Sequence, residues 1–162
     1  MLSMIPAALM VTMLYLFTLS PSLVADENQQ FEALGNDALF HHERALDRVR
    51  SEGLTAGSVT PYAVPVFQEL MPWESEIISS PLMRVLVTYV PEVSGVLPDK
   101  VSEAFASIGV SEIEYIPDTY VGTYTYHTTG TGGLLGGRDF AGVNLPMLDG
   151  SPAIVTVFEY LP

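Results

Sequence analysis

The residues that could do chemistry are few, and they are scattered. The stretch "HHER" (41–44) holds two of the three histidines of the chain. Neighbours on a helix point about 100° apart, so His41 and His42 do not grip one ion from one face. Asp37 and His41, four apart, do share a face and offer two ligands. A zinc-type site needs three or four, and the third would have to come from elsewhere, such as His127. The expectation is therefore an exposed His41, a His42 that borders an apolar stripe, and no metal. The glycine-rich "TTGTGGLLGG" (128–137) suggests a phosphate loop but lacks the Gly-Lys-Ser/Thr ending that supplies charge and a magnesium ligand. It is expected to be a hairpin whose Gly132, Gly133, Gly136 and Gly137 permit positive φ, with Leu134 and Leu135 at the tip as candidate partner contacts. Glu112 and Glu114 alternate on one strand face, the wet one, with Asp118 close behind. Paired-carboxylate hydrolysis needs a defined separation and one raised pKa, and a sequence shows neither. No serine lies in a G-x-S-x-G elbow. Tyr120, Tyr124 and Tyr126, with Tyr89, Tyr115 and Trp73, suit cross-strand packing. No catalytic, cofactor-binding or metal residue is expected, and the chain is read as a binding protein, not an enzyme.

The absence of cysteine removes disulfides and thiolate chemistry. With 19 acidic against 6 basic residues, the formal charge is -13. Such a surface repels phosphate backbones, which excludes nucleic acid as a partner.

The elements that must carry these residues begin with an uncharged segment, "MLSMIPAALMVTMLYLFTLSPSLVA" (1–25). An apolar run of roughly 20 residues can cross a bilayer core as a helix. Residues 1–24 are therefore expected to be a transmembrane helix in a bacterial inner membrane, N-terminus inside and the C-terminal domain in the periplasm. The alternative is a signal peptide cut after Ala25. No Lys or Arg precedes the apolar run, however, and Leu23 is large for a cleavage site. Pro21 would mark the kink where the helix leaves the membrane.

Residues 25–53 read as a helical stalk whose stripe must pack on the chain's own C-terminal domain or against a partner helix. Phe31, Leu34, Ala38, Leu39, Ala45, Leu46 and Val49 recur at three- and four-residue steps, one apolar stripe of a helix. Acids gather early and arginines late, as the helix dipole favours. Gly35 weakens the middle by roughly 1 kcal/mol relative to alanine, and Gly53 ends the helix. Phe31, Leu34, Leu39 and Leu46 are candidate partner-binding residues, alongside Leu134 and Leu135.

Beyond Gly53 proline recurs, and residues 54–162 are expected to form an α+β domain with an antiparallel sheet and one short helix. The pattern predicts an edge strand or ordered loop at 60–67, strands at 83–90, 111–116, 120–128 and 153–161, and a helix over 97–109 with Asp99 as its N-cap. The fold class is thus α+β: transmembrane helix, long stalk, small sheet domain.

This layout, with the tail "GTYTYHTTGTGGLLGGRDFAGVNLPMLDGSPAIVTVF" (122–158), resembles the small PilM proteins of conjugative thin-pilus (type IVB) systems. "NLPMLDGSPAIVTVF" (144–158) is similar to that family's ending. The resemblance implies an inner-membrane component of the pilin transport apparatus or basal body that binds other pilus or envelope subunits. It implies no catalytic residues and no cofactor. Minor pilins and pseudopilins also join a long hydrophobic helix to a β-domain. This chain lacks their basic leader ending in glycine and the glutamate five residues into the helix.

Overall fold

The computed structural model describes residues 4–65, 68–91, 98–108, 116–127, 132–140, 142–143 and 148–162, with side chains described from residue 27 onward, Pro98 excepted. One helix, α1 (Met4–Glu52), supplies 49 residues, roughly 74 Å at 1.5 Å per residue. It is continuous through Pro21, where a boundary was expected, and through Ala25. It stops at Gly53, whose φ of 64° is the left-handed conformation of a helix C-cap.

A five-stranded antiparallel sheet follows. Its strands are β1 (Gly57–Ser58), β2 (Glu74–Ser79), β3 (Met83–Tyr89), β4 (Thr119–Thr123) and β8 (Pro152–Tyr160), in the spatial order β1-β2-β3-β8-β4. A short helix, α2 (Pro98–Ala106), joins β3 to the region before β4. A second, three-stranded sheet is built from β5 (Thr125–Tyr126), β6 (Gly133–Leu135) and β7 (Arg138–Asp139).

The main sheet is buried on both faces. Strand alternation sends Leu86 and Ile154 up to the helices, with Ile77 beside them. There they meet Ala38, Leu39, Ala45, Leu46 and Val49 of α1 and Val101, Phe105 and Ile108 of the α2 region. Val85, Val87, Ala153, Val155 and Val157 point down to Tyr124, Leu135, Phe140, Val143 and Leu148. The result is three layers, helices over a large sheet over a small one.

The expected transmembrane helix, and the stalk continuing from it, are corrected here. Among the described residues no helix is long and apolar enough to cross a membrane. The inner-membrane placement of the chain loses its support with it. Residues 25–53 do not form a stalk that stands off from the domain either. Their apolar stripe is committed to the sheet of the same chain, so α1 from Leu34 onward is the lid of the core. The physical reason is that an amphipathic stripe packs on the nearest apolar surface, and the upper sheet face offers one.

Other expectations fare unevenly. Strand β3, helix α2 and strand β8 fall within a few residues of the predicted spans. Residues 60–65 form no strand. Asp99 lies in the first turn of α2, as its second helical residue and not as its N-cap. The strand expected over 120–128 divides at Tyr124 between the two sheets, and residues 128–131 lie outside the described residues, as do residues 111–115 of the strand expected over 111–116. Strand β2 was not foreseen.

Candidate functional site

The densest polar chemistry lies under α1. His42, expected at the border of the stripe, is completely buried at its centre. Its Nδ1 lies 2.8 Å from Thr88 Oγ1 on β3 and its Nε2 lies 2.7 Å from Thr156 Oγ1 on β8. Thr88 in turn meets Ser75 of β2, and Thr156 meets Thr119 of β4, each pair at 2.6 Å. Four adjacent strands thus each give one hydroxyl to a row that crosses the sheet, and the helix supplies the imidazole that joins its halves. Burial above all, then the charges of His41 and Arg50, pushes the His42 pKa down to about 3. The ring is neutral at ordinary pH, with one nitrogen donating and the other accepting. A hydroxyl beside an imidazole is also the geometry of an activated nucleophile. Here both threonines are 0% exposed, so no substrate reaches them.

A second polar stripe of α1 faces the segment between β1 and β2. Asp37, His41, Arg44 and Arg48 recur at four, three and four residues, the spacing of one helix face. Asp37 Oδ2 accepts from Trp73 Nε1 at 2.6 Å and from the Leu70 amide at 2.9 Å. His41 Nδ1 and Arg44 Nη2 both reach Glu69 Oε1 at 2.7 Å. Arg44 Nη1 donates to the Tyr62 carbonyl and Arg48 Nη1 to the Thr60 carbonyl, both at 2.7 Å. These contacts clasp the proline-rich segment along the helix. His41 is therefore buried, not exposed as expected, and among the described residues its Nε2 and Asp37 Oδ1 have no hydrogen-bond partner. Among the described residues no cluster of three His, Asp or Glu is arranged to hold a metal. His127, the third ligand considered, instead approaches Asp139 at 3.2 Å on the small sheet.

The open surface lies where α1 leaves the domain. Glu27, Asn28, Gln29, Gln30, Glu32 and Ala33 are exposed, and Phe31 is half-buried. The Phe31 carbonyl accepts a 2.9 Å hydrogen bond from Ser107 Oγ, which ties α1 to the end of α2. Between the two helices lies a groove of about 570 Å³ lined by Phe31, Ala106 and Ser107 with the carboxylates of Glu27, Glu32 and Glu103. Its three carboxylates beside one aromatic ring suit a Lys or Arg side chain, whose stem would cover Phe31 while its charge meets the glutamates. A smaller hollow of about 320 Å³ on the same helix is lined by Glu43, Leu46, Asp47, Arg50, Ile116 and Pro117. Burial, then Asp47, raises the Glu43 pKa.

The expected partner-binding residues do not form one surface. Phe31 lines the groove and Leu34 packs at the margin of the upper core. Leu39 and Leu46 are buried against the sheet. Leu134 is 43% exposed on the small sheet, whereas Leu135 is buried beneath it. The aromatic residues pack: Trp73 stacks on Phe105 with centroids 5.8 Å apart, and Tyr120 meets Phe140 edge-on at 5.6 Å. Tyr115, Glu112 and Glu114 lie outside the described residues.

Sequence reasoning missed the hydroxyl row. The signal was present: His42 stands three residues after Leu39 and four before Leu46, on the stripe itself. No protein-family model, curated protein or solved structure matches the chain.

Proposed function

We propose that the chain is a structural or assembly subunit that acts by protein–protein binding, in a thin-pilus or related envelope machine. The observation that carries this reading is α1. Of its 49 residues, the described ones join the core only from Leu34 onward. The helix continues N-terminally for about 30 more residues, and 1–25 of the sequence contain no charge. An uncharged apolar helical arm joined to an acidic domain serves a subunit that inserts the arm among other subunits. The acidic groove at the base of the arm supplies a second, charge-selective contact for a basic partner segment.

The test is copurification from a strain that assembles the pilus. Since the natural chain has no cysteine, single cysteines at Gln30 or Glu32 give unambiguous cross-links. We expect cross-links to other pilus subunits, and their loss on reversing Glu27, Glu32 and Glu103 to lysine. A chain that cross-links to no subunit, with pilus assembly unaffected by its deletion, would refute the assignment.

A pilin-like role is the second reading, favoured by the way the C-terminal part of α1 crosses an antiparallel sheet. It predicts that the cross-links at Gln30 join copies of this chain in repeating ladders. Cross-links restricted to other subunits favour the first reading.

A further inference from the structure

The row beneath α1 is stable only while its central ring is neutral. His42 is 0% exposed, and its two nitrogens contact Thr88 and Thr156. Hydrogen bonding alone would permit an imidazolium. Both hydroxyls can accept from the ring and turn their own protons to Ser75 and Thr119. The charge is what the site cannot accommodate. From β3 and β8 the ring nitrogens meet the hydroxyls of Thr88 and Thr156, which are backed by Ser75 of β2 and Thr119 of β4. From α1 the charges that act on it are His41 and Arg50, both of the wrong sign. The packed face of α2 brings Val101, Ala104 and Phe105, while its Asp99, Lys100 and Glu103 are exposed to water. Among the described residues no carboxylate bonds to the ring.

We propose that His42 is an acid-operated latch: when its ring takes up a proton, α1 releases from the face of the sheet. In the closed arrangement burial holds the ring to a pKa of about 3. Once α1 lifts, water solvates the ring and its pKa returns to about 6.5. The released state therefore binds the extra proton between these values. The latch is fully closed above about pH 6.5 and loses hold as pH falls toward 3. Over the middle of that window each pH unit favours release almost tenfold, or about 25-fold between pH 7 and pH 5. Release bares Leu39, Leu46 and Val49 together with Ile77, Leu86 and Ile154, a matched pair of apolar surfaces. The device is independent of which partner the arm engages.

The experiment is amide hydrogen exchange of residues 36–50 in the full chain at pH 7 and pH 5, corrected for the intrinsic pH dependence of exchange. The wild type is compared with H42Q, which keeps a donor and an acceptor but does not titrate, and with H41Q as the neighbour control. We expect wild type and H41Q to open about 25-fold more at pH 5, and H42Q to open by a much smaller factor. An equal increase in H42Q overturns the latch. If H42Q does not fold, the ring nitrogen shifts of wild-type His42 decide the matter. A ring that stays neutral in the closed form at pH 5, while α1 exchange rises, supports the proposal. A ring that titrates near pH 6.5 with α1 protection intact overturns it.

Discussion

At the scale of single residues, the structure reassigns several side chains that the sequence marks only by type. Gly35 is the sharpest case. Helix propensity alone says that alanine there would stabilise α1 by about 1 kcal/mol. A Cβ at that point, however, would lie 2.5 Å from the Ala104 carbonyl oxygen and 2.8 Å from Ser107 Oγ. The backbone oxygen cannot yield as a flexible side chain would, so the glycine exists to bring α1 against α2. Overpacking of this kind costs about 1–3 kcal/mol. Gly35→Ala is therefore expected to lower stability, read as a lower urea midpoint at pH 7, against the sign that propensity gives. Asp37 provides a second test. Its Oδ2 satisfies both the Trp73 indole and the Leu70 amide. Asp37→Ala leaves both donors unmet and should cost about 2–4 kcal/mol. Asp37→Asn, whose amide oxygen can still accept, should cost clearly less. Thermal or chemical unfolding of the two variants checks the order. Neither Asp37 nor His42 announces its burial, since a polar residue at a stripe position looks like an interruption until its partners, 33 to 114 residues away in sequence, are known.

At the scale of elements, patterns carried in one segment were legible and patterns shared between segments were not. The valine-dense β3 and β8 have both faces buried, and each announces itself by its own residues. The β2 stretch "ESEIIS" does not, because one of its helix-facing residues is Ser75, a member of the hydroxyl row and not a hydrophobe. The amphipathic stripe of α1 was read correctly as a stripe, but a stripe does not say what covers it, and so the same residues were assigned to a stalk. Leu46 now measures that packing. It is 2% exposed in the upper core, and Leu46→Ala should cost about 2–5 kcal/mol with a cooperative transition retained. Of the glycine hairpin expected over 128–137, the described residues place the turn at Gly136 and Gly137, between β6 and β7, so that Leu134 and Leu135 lie in β6 and not at the tip. Gly136 at φ 55° and Gly137 at φ 78° match the mirror-image turn that suits strand twist. Gly137 has open space around it, so Gly137→Ala isolates the backbone term, about 1 kcal/mol of destabilisation without steric clash. An unchanged unfolding midpoint would show that the turn does not require that conformation.

At the scale of the whole molecule, two features set behaviour in solution. The charge of -13 makes association with a basic partner depend on ionic strength. Binding through the α1–α2 groove should weaken several-fold between 50 and 300 mM salt, and a salt-insensitive association would place the partner elsewhere. The second feature is the length of α1. Composition pointed to a transmembrane helix over residues 1–24, which no helix among the described residues supports, and periodicity pointed to a packing stripe, which the sheet covers from Leu34 onward.

The position of β8 has a consequence for how the chain comes into being. Residues 152–160 pair with β3 on one side and β4 on the other, so an interior place in the sheet is filled by a strand that a ribosome makes after both of its neighbours. Until then β3 and β4 have no common neighbour, and the stripe at residues 38–49, made about a hundred residues earlier, has only half a floor. Closing contacts between segments so far apart is slow. A nascent chain of this protein therefore displays its greasiest helix longest, and chaperones or sister chains meet that surface before the finished fold conceals it. Chains halted before Pro152 never conceal it, which makes them ready substrates for proteolysis.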